Sequence, residues 1–164
     1  MERPGLLAEI IASESRRARQ GGSERPLGLR TDAILSYGER RGLEELAAFD
    51  FTPVRHRLIQ QGSVSEEWAD LAILEFRRYL ALRLLSPGPV MMLSAVVDEV
   101  WHASILFTRL YADLCERVFG HFLHHDPETQ PIADPSAEWR VFDERYTALF
   151  GPPGALWRAW QPLE

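Results

Sequence analysis

Apolar residues recur at intervals of three and four positions along nearly the whole chain, and this helical periodicity constrains the fold more than any other feature. No segment alternates apolar and polar residues over the length of a typical strand. With 164 residues, 46% of them hydrophobic, the chain can bury one core but is short for two ordinary domains. We therefore predict an all-α fold, a single-domain bundle of about six helices.

Glycine, proline and capping residues divide the periodic segments into helices. Ser63 and Glu66 have the spacing of a capping box, and Gly120 is a natural residue to end a helix. We expect an N-terminal helix and linker over residues 1–30 and a helical domain over residues 31–164. The predicted helices cover about residues 4–19, part of 31–49, 52–62, 63–85, 94–120, 134–150 and a short segment at 157–160.

The distribution of charge argues against one class of partner. The net charge is −6, and residues 31–164 carry twelve arginines against twenty acids. A body with that balance would repel a phosphate backbone, so we expect no nucleic-acid partner. We also expect no membrane partner and a cytoplasmic location, because we find neither a long apolar run nor a signal-peptide pattern. The single cysteine, Cys115, excludes an internal disulfide framework.

Glu75 is the most unusual acidic residue, because it falls within an apolar helical stripe. A buried carboxylate without a partner costs several kcal/mol or is protonated, so Glu75 should meet an arginine, a histidine or a metal. The alternative to a functional role is a structural ion pair with Arg77, Arg78 or another arginine. The stripe consists of Val64, Trp68, Leu71, Tyr79 and Leu82.

Asp98 and His102 lie one helical turn apart in the stretch VDEVWHASILFTRLY. A carboxylate at this spacing can fix the tautomer of the imidazole or share a metal with it. On a helical wheel, both residues fall on the side that also carries Arg109 and Asp113, opposite the apolar side. The pair could therefore equally be an ordinary solvent-exposed contact.

Two adjacent histidines, His124 and His125, follow the predicted end of the same helix. Together with Asp98 and His102 they would suit zinc or non-haem iron. Distance is the difficulty: a straight helix from His102 to Gly120 spans roughly 27 Å, too far for the short segment after Gly120 to return. Either the helix bends or breaks and closes a shared site, or the two motifs have separate roles.

Three segments taken together resemble a known family: EFRRYLAL, VDEVWHASILFTRLYADLC and FGHFLHHDP. They are similar to the glycine-rich domain-containing protein-like family of small bacterial proteins, over about residues 40–160. The resemblance implies an all-α fold but supplies no reaction. It draws attention to Glu75, Arg78, Asp98, Trp101, His102, Tyr111, His124 and His125.

These residues support two functional hypotheses. In the first, the chain is an enzyme that binds a divalent metal, zinc or iron, or performs acid–base chemistry on a small molecule or modified peptide. His102, Asp98 and Glu75 would be catalytic, and His102, His125, His124 and Asp98 are the candidate metal ligands. In the second, the chain is a non-catalytic interaction module whose histidines are structural. Its polar stripe and the tryptophans Trp157 and Trp160 would contact a protein partner or a second copy of the chain in a homo-oligomer. The alternative for the two tryptophans is that they close the core.

Overall fold

Seven α-helices account for most of the chain that the structure, a computed structural model, describes, namely residues 25–31, 33–126 and 132–158. A single 3₁₀ turn at Pro26–Gly28 precedes them, and these residues contain no strand. The all-α, single-domain bundle is thus confirmed, while the helix expected at residues 4–19 lies outside the described residues. The helices are α1 Tyr37–Ala48, α2 Thr52–Gln61, α3 Glu66–Leu85, α4 Ala95–Leu106, α5 Thr108–Phe119, α6 Pro135–Phe150 and α7 Ala155–Arg158.

Helix α3 is the centre of the bundle, because α1, α2, α4 and α6 all pack against it. It is correspondingly apolar on several sides, and its buried residues include Ala72, Phe76, Leu80 and Leu82. Despite this, none of the described helices is both long enough and apolar enough to cross a bilayer. Helix α1 also packs on α5, which brings the N-terminal and central parts of the chain together.

Most of the predicted helix ends are confirmed, and one is wrong. Gly62 and Gly120 end α2 and α5 in the left-handed conformation, and the Asp134 side chain caps α6. Ser63 does not form a capping box with Glu66, since Ser65 is the N-cap of α3. The backbone N–H of Ser63 instead donates to the carbonyl of Leu58, which completes the C-terminal turn of α2.

The predicted continuous helix over residues 94–120 is broken at Phe107, which has φ −88° and ψ 68°. The Ser104 hydroxyl donates to the carbonyl of Val100, a bond that tends to bend a helix. The N–H of Phe107 then donates to Ser104 in a tighter, 3₁₀-type turn. A new helix starts where the N–H of Tyr111 donates to the Phe107 carbonyl. Helices α4 and α5 therefore pack against each other.

The C-terminal helix α7 closes the core. Trp157 is fully buried, with its ring 4.5 Å from Phe142 and 6.3 Å from Tyr79 between centroids. Of the two alternatives for Trp157, an interaction hot spot and a core residue, the structure shows the core residue, because the indole fills the space between α3 and α6. Trp160 lies outside the described residues.

Candidate metal centre

Helix α4 presents Asp98 and His102 on one side. Ser94 caps the helix by accepting from the N–H of Val97, which places Asp98 in the first turn and His102 in the second. The Nε2 atom of His102 lies 3.6 Å from Oδ2 of Asp98. The His102 side chain is 47% exposed, so this pair is at the surface, as the helical wheel predicted.

The segment after α5 returns to this pair because three side chains hold it there. Gly120 turns the chain with φ 71°, and residues 121–126 are not helical. The Tyr111 hydroxyl donates to the carbonyl of Leu123 at 2.5 Å and accepts from the indole N–H of Trp101 at 2.9 Å. The imidazole of His125 then stacks on the Trp101 ring, with centroids 4.0 Å apart and planes inclined by 21°.

Three potential ligand atoms converge as a result. His125 Nε2 lies 2.9 Å from His102 Nε2 and 3.2 Å from Asp98 Oδ1. His102 Nε2 lies 3.6 Å from Oδ2, the other oxygen of the same carboxylate, and each of these distances is in the range of the edges of a metal coordination sphere. Ligands at about 2.0–2.2 Å from an ion lie about 3.3–3.6 Å apart in a tetrahedron and about 2.8–3.1 Å apart in an octahedron. Among the described residues, this is the one group of three such side chains whose ligand atoms lie close together.

The carboxylate oxygen that faces this point has no hydrogen-bond donor. Asp98 Oδ1 is shielded from water and accepts no hydrogen bond, although His125 Nε2 is 3.2 Å away. The Nε2 atoms of His125 and His102 face each other instead. A proton shared between these two nitrogens is not available to Asp98 Oδ1. A cation between the three atoms would satisfy all of them, whereas a buried carboxylate oxygen without a donor is costly.

The protonation state of His125 suits metal binding. Burial lowers the pKa of His125 below its ordinary value, and the nearby His102 lowers it further, while Asp98 raises it. The net lowering favours the neutral imidazole, which is the form that binds a metal. Trp101 supplies much of this burial, since its ring covers one face of the imidazole.

A family model described as UCP032817-like matches residues 41–138, a span that includes all three converging side chains. The chain belongs to the UCP032817-like family. Comparison with curated proteins and with solved structures gives no match.

In this UCP032817-like protein, His125 joins Asp98 and His102, but His124 does not. The His124 side chain is exposed, and its ring meets the edge of Phe122 at 5.0 Å. Consecutive residues in an extended segment point to opposite sides, so only one of the adjacent histidines can face α4. The prediction that His124 is a ligand of the same site is therefore wrong.

Glu75, which the first functional hypothesis groups with His102 and Asp98 as catalytic, is also absent from the group of candidate metal ligands. Its oxygens accept from Arg78 at 2.9 Å, from the Tyr146 hydroxyl at 2.5 Å and from the Trp157 indole at 2.7 Å. The structural ion pair with Arg78, one of the two alternatives for this carboxylate, is thus present. Burial raises the pKa of Tyr146 well above its ordinary value, and the Glu75 carboxylate raises it further, while Arg78 lowers it.

The residues that the sequence did not single out are Leu123 and Arg83. Leu123 holds the returning segment through its carbonyl, which no side-chain pattern could reveal. Arg83 lies in the last turn of α3, where a basic residue is expected simply to complement the helix dipole. Only the folded chain shows that Arg83 and Leu123 line the same cavity.

Proposed function

We propose that this protein is a metal-dependent enzyme whose ion is held by Asp98, His102 and His125. The observation that carries the proposal is the convergence of two imidazole nitrogens and one carboxylate, whose ligand atoms lie within 4.8 Å of one another. One oxygen of that carboxylate, Asp98 Oδ1, is shielded and has no donor. Zinc and iron are the expected ions, because two imidazoles and one carboxylate are a ligand set that both accept.

The number and exposure of the ligands support a catalytic rather than a structural site. Structural zinc sites are closed by four protein ligands, whereas catalytic sites keep an open position. Here three side chains converge, and His102 is 47% exposed on the outer side. A bound ion would act as a Lewis acid and lower the pKa of a coordinated water, which is the chemistry of hydrolysis. We therefore propose hydrolysis of a small molecule or modified peptide.

Each neighbouring residue has a defined role in this proposal. Trp101 orients His125 by stacking and keeps water from one face of its ring. Tyr111 is a positioning residue, because it acts on His125 through the carbonyl of Leu123. Glu75 is assigned a structural role, since its carboxylate is occupied by three donors. The resemblance to glycine-rich domain-containing protein-like proteins remains part of the proposal, as its motifs contain all three ligands.

Metal analysis of protein purified without a polyhistidine tag tests the first part of the proposal. We expect about one equivalent of zinc or iron per chain, and a loss of at least tenfold in content for His102→Ala. His56→Ala is the matched control, because His56 is an exposed histidine on α2. Substoichiometric metal that is not restored by adding zinc or iron would contradict the proposal.

Hydrolysis of p-nitrophenyl esters and phosphates tests the second part. We expect turnover by the metal-loaded protein, loss of turnover after chelation, and recovery when the metal is returned. A protein that holds one metal equivalent but gives no metal-dependent turnover on any hydrolysable compound would point to a structural ion and would reject the enzymatic claim.

A further inference from the structure

A second feature lies beside the metal centre: an open cavity of about 340 Å³ between the end of α3, the α3–α4 connection and the segment after α5. This volume is in the range of small-molecule sites. Its walls combine a cation, a hydroxyl, an exposed imidazole and apolar surface. Arg83 supplies the cation, Ser86 the hydroxyl and His121 the imidazole. Phe119 and Leu123 supply apolar surface, and Gly88 also lines the cavity.

Arg83 is the charged group of this cavity, and it is half-buried without an acidic partner among the described residues. Its guanidinium makes one hydrogen bond there, from Nη1 to the Tyr79 hydroxyl at 3.3 Å. By contrast, Arg55, Arg78 and Arg117 each contact a carboxylate. Within the described part of the chain, most of the five donors of this half-buried guanidinium have no acceptor, an arrangement that a bound anion would stabilise.

The cavity is close to His125 along the chain. Leu123 forms part of its wall, and His125 is two residues further along the same non-helical segment, at most about 7 Å away between Cα atoms. Ring contacts also connect Tyr79, the hydrogen-bond partner of Arg83, with His125. The Tyr79 ring lies 5.5 Å from the Trp101 ring, which stacks on His125 at 4.0 Å between centroids.

We propose that the cavity binds the carboxylate group of a small substrate through Arg83 and so holds the rest of the substrate toward the metal ligands. This inference rests on the proposed function for its reaction, but not for the binding itself. A planar guanidinium pairs with a carboxylate through two parallel hydrogen bonds. Arg83 supplies one fixed positive charge, which balances a monoanionic carboxylate and leaves a phosphate dianion half uncompensated. Phe119 and Leu123 give the cavity an apolar wall for an attached hydrocarbon group.

Titration with benzoate, followed by backbone amide NMR shifts of the complete chain, tests this inference. We expect saturable shifts at Ser86, Gly88 and Leu123. Arg83→Gln should weaken benzoate binding at least tenfold, whereas Arg83→Lys, which keeps the charge, should weaken it less. Arg109→Gln is the matched control, because Arg109 is an exposed arginine on α5, and it should leave binding unchanged.

Two further ligands make the test decisive. Benzamide, the neutral analogue, should bind at least tenfold more weakly than benzoate. Equal binding of the two, or benzoate binding by Arg83→Gln within twofold of the unchanged protein, would overturn the proposal. Phenyl phosphate binding tenfold more tightly than benzoate would overturn the choice of carboxylate. If Arg83→Gln does not fold, the comparison of benzoate with benzamide on the unchanged protein decides.

The His102→Ala variant separates this inference from the metal proposal. Because Arg83 binds the anion without the ion, benzoate binding should persist in that variant within about threefold. Absence of metal from the unchanged protein together with retained benzoate binding would reject the metal site alone. Metal binding without benzoate shifts at Ser86, Gly88 and Leu123 would reject the carboxylate site alone.

Discussion

At the scale of single residues, Glu75 shows how a buried charge is stabilised in this bundle. Its side chain is 5% exposed, and all its partners are donors: Arg78 from the next turn of α3, Tyr146 from α6 and Trp157 from α7. Arg78 also donates to the carbonyl of Leu27. The carboxylate therefore ties α3 to both ends of the described chain, which is a structural and not a catalytic use of the charge.

We predict that Glu75→Gln destabilises the protein by about 3 kcal/mol, since it leaves the Arg78 cation buried without its counter-charge. The amide would also turn its own N–H groups toward the donors Tyr146 and Trp157 or lose one of them. Urea unfolding at neutral pH measures the change, with exposed Glu44→Gln as the control expected within about 0.5 kcal/mol. A loss of less than about 1 kcal/mol for Glu75→Gln would show that the network is not important for stability.

Part of this residue-level arrangement could be predicted from the sequence. The burial of Glu75 followed from its place in an apolar stripe, and the Asp98–His102 pair followed from a four-residue spacing, because both are local properties of a helix. The Tyr146 and Trp157 partners are 71 and 82 residues away from Glu75. No local pattern encodes such contacts, so the sequence could only state that some partner was needed.

At the scale of secondary structure, the break at Phe107 determines which groups can meet. A straight helix to Gly120 would carry the returning segment away from His102, whereas the bend lets Tyr111 hydrogen-bond to Trp101 and Leu123 at once. The sequence stated this alternative but could not choose, since Phe107 and its neighbours include no proline or glycine to mark a break. The contacts that Tyr111 makes in the bent arrangement are tertiary, and no local sequence pattern reveals them.

We predict that Tyr111→Phe weakens zinc binding about tenfold, because the Leu123 carbonyl loses the donor that positions His125 two residues later. The fold should be destabilised by only about 1–3 kcal/mol, the cost of the lost hydrogen bonds. A zinc competition titration with a chromophoric chelator measures the affinity. Tyr37→Phe is the control, since Tyr37 is 75% exposed on α1. Unchanged zinc affinity in Tyr111→Phe would contradict the positioning role.

Two glycines on α1 provide a matched test of helix packing. A Cβ atom at Gly42 would lie 2.7 Å from the Val118 carbonyl oxygen and 2.9 Å from Leu84 Cδ2, whereas nothing lies within 4 Å of one at Gly38. We predict that Gly42→Ala costs about 1–3 kcal/mol, because α1 must move away from α5. Gly38→Ala should be neutral or stabilise by up to about 1 kcal/mol. Thermal unfolding measures both, and equal effects of the two substitutions would contradict the close packing.

At the scale of the whole molecule, the bundle places its helix ends and connections around one side of α4. Helix α4 and the segment after Gly120 supply the three side chains of the candidate metal site, and the end of α3 and that same segment line the cavity. The all-α class and most helix boundaries could be predicted, because the apolar periodicity of a helix and its capping residues are visible in short stretches of sequence. The site could be predicted only as a set of alternatives, since it depends on one bend and on which of two adjacent histidines turns inward.

The most direct test of the account is a zinc titration that compares the two adjacent histidines. His125→Ala removes a proposed ligand, while His124→Ala removes an exposed neighbour of the same chemistry on the same segment. We predict that His125→Ala lowers zinc affinity at least a hundredfold, as His102→Ala should, and that His124→Ala leaves it within about threefold of the unchanged protein. Equal losses in the two variants, or tight zinc binding by His125→Ala, would contradict a shared site of Asp98, His102 and His125.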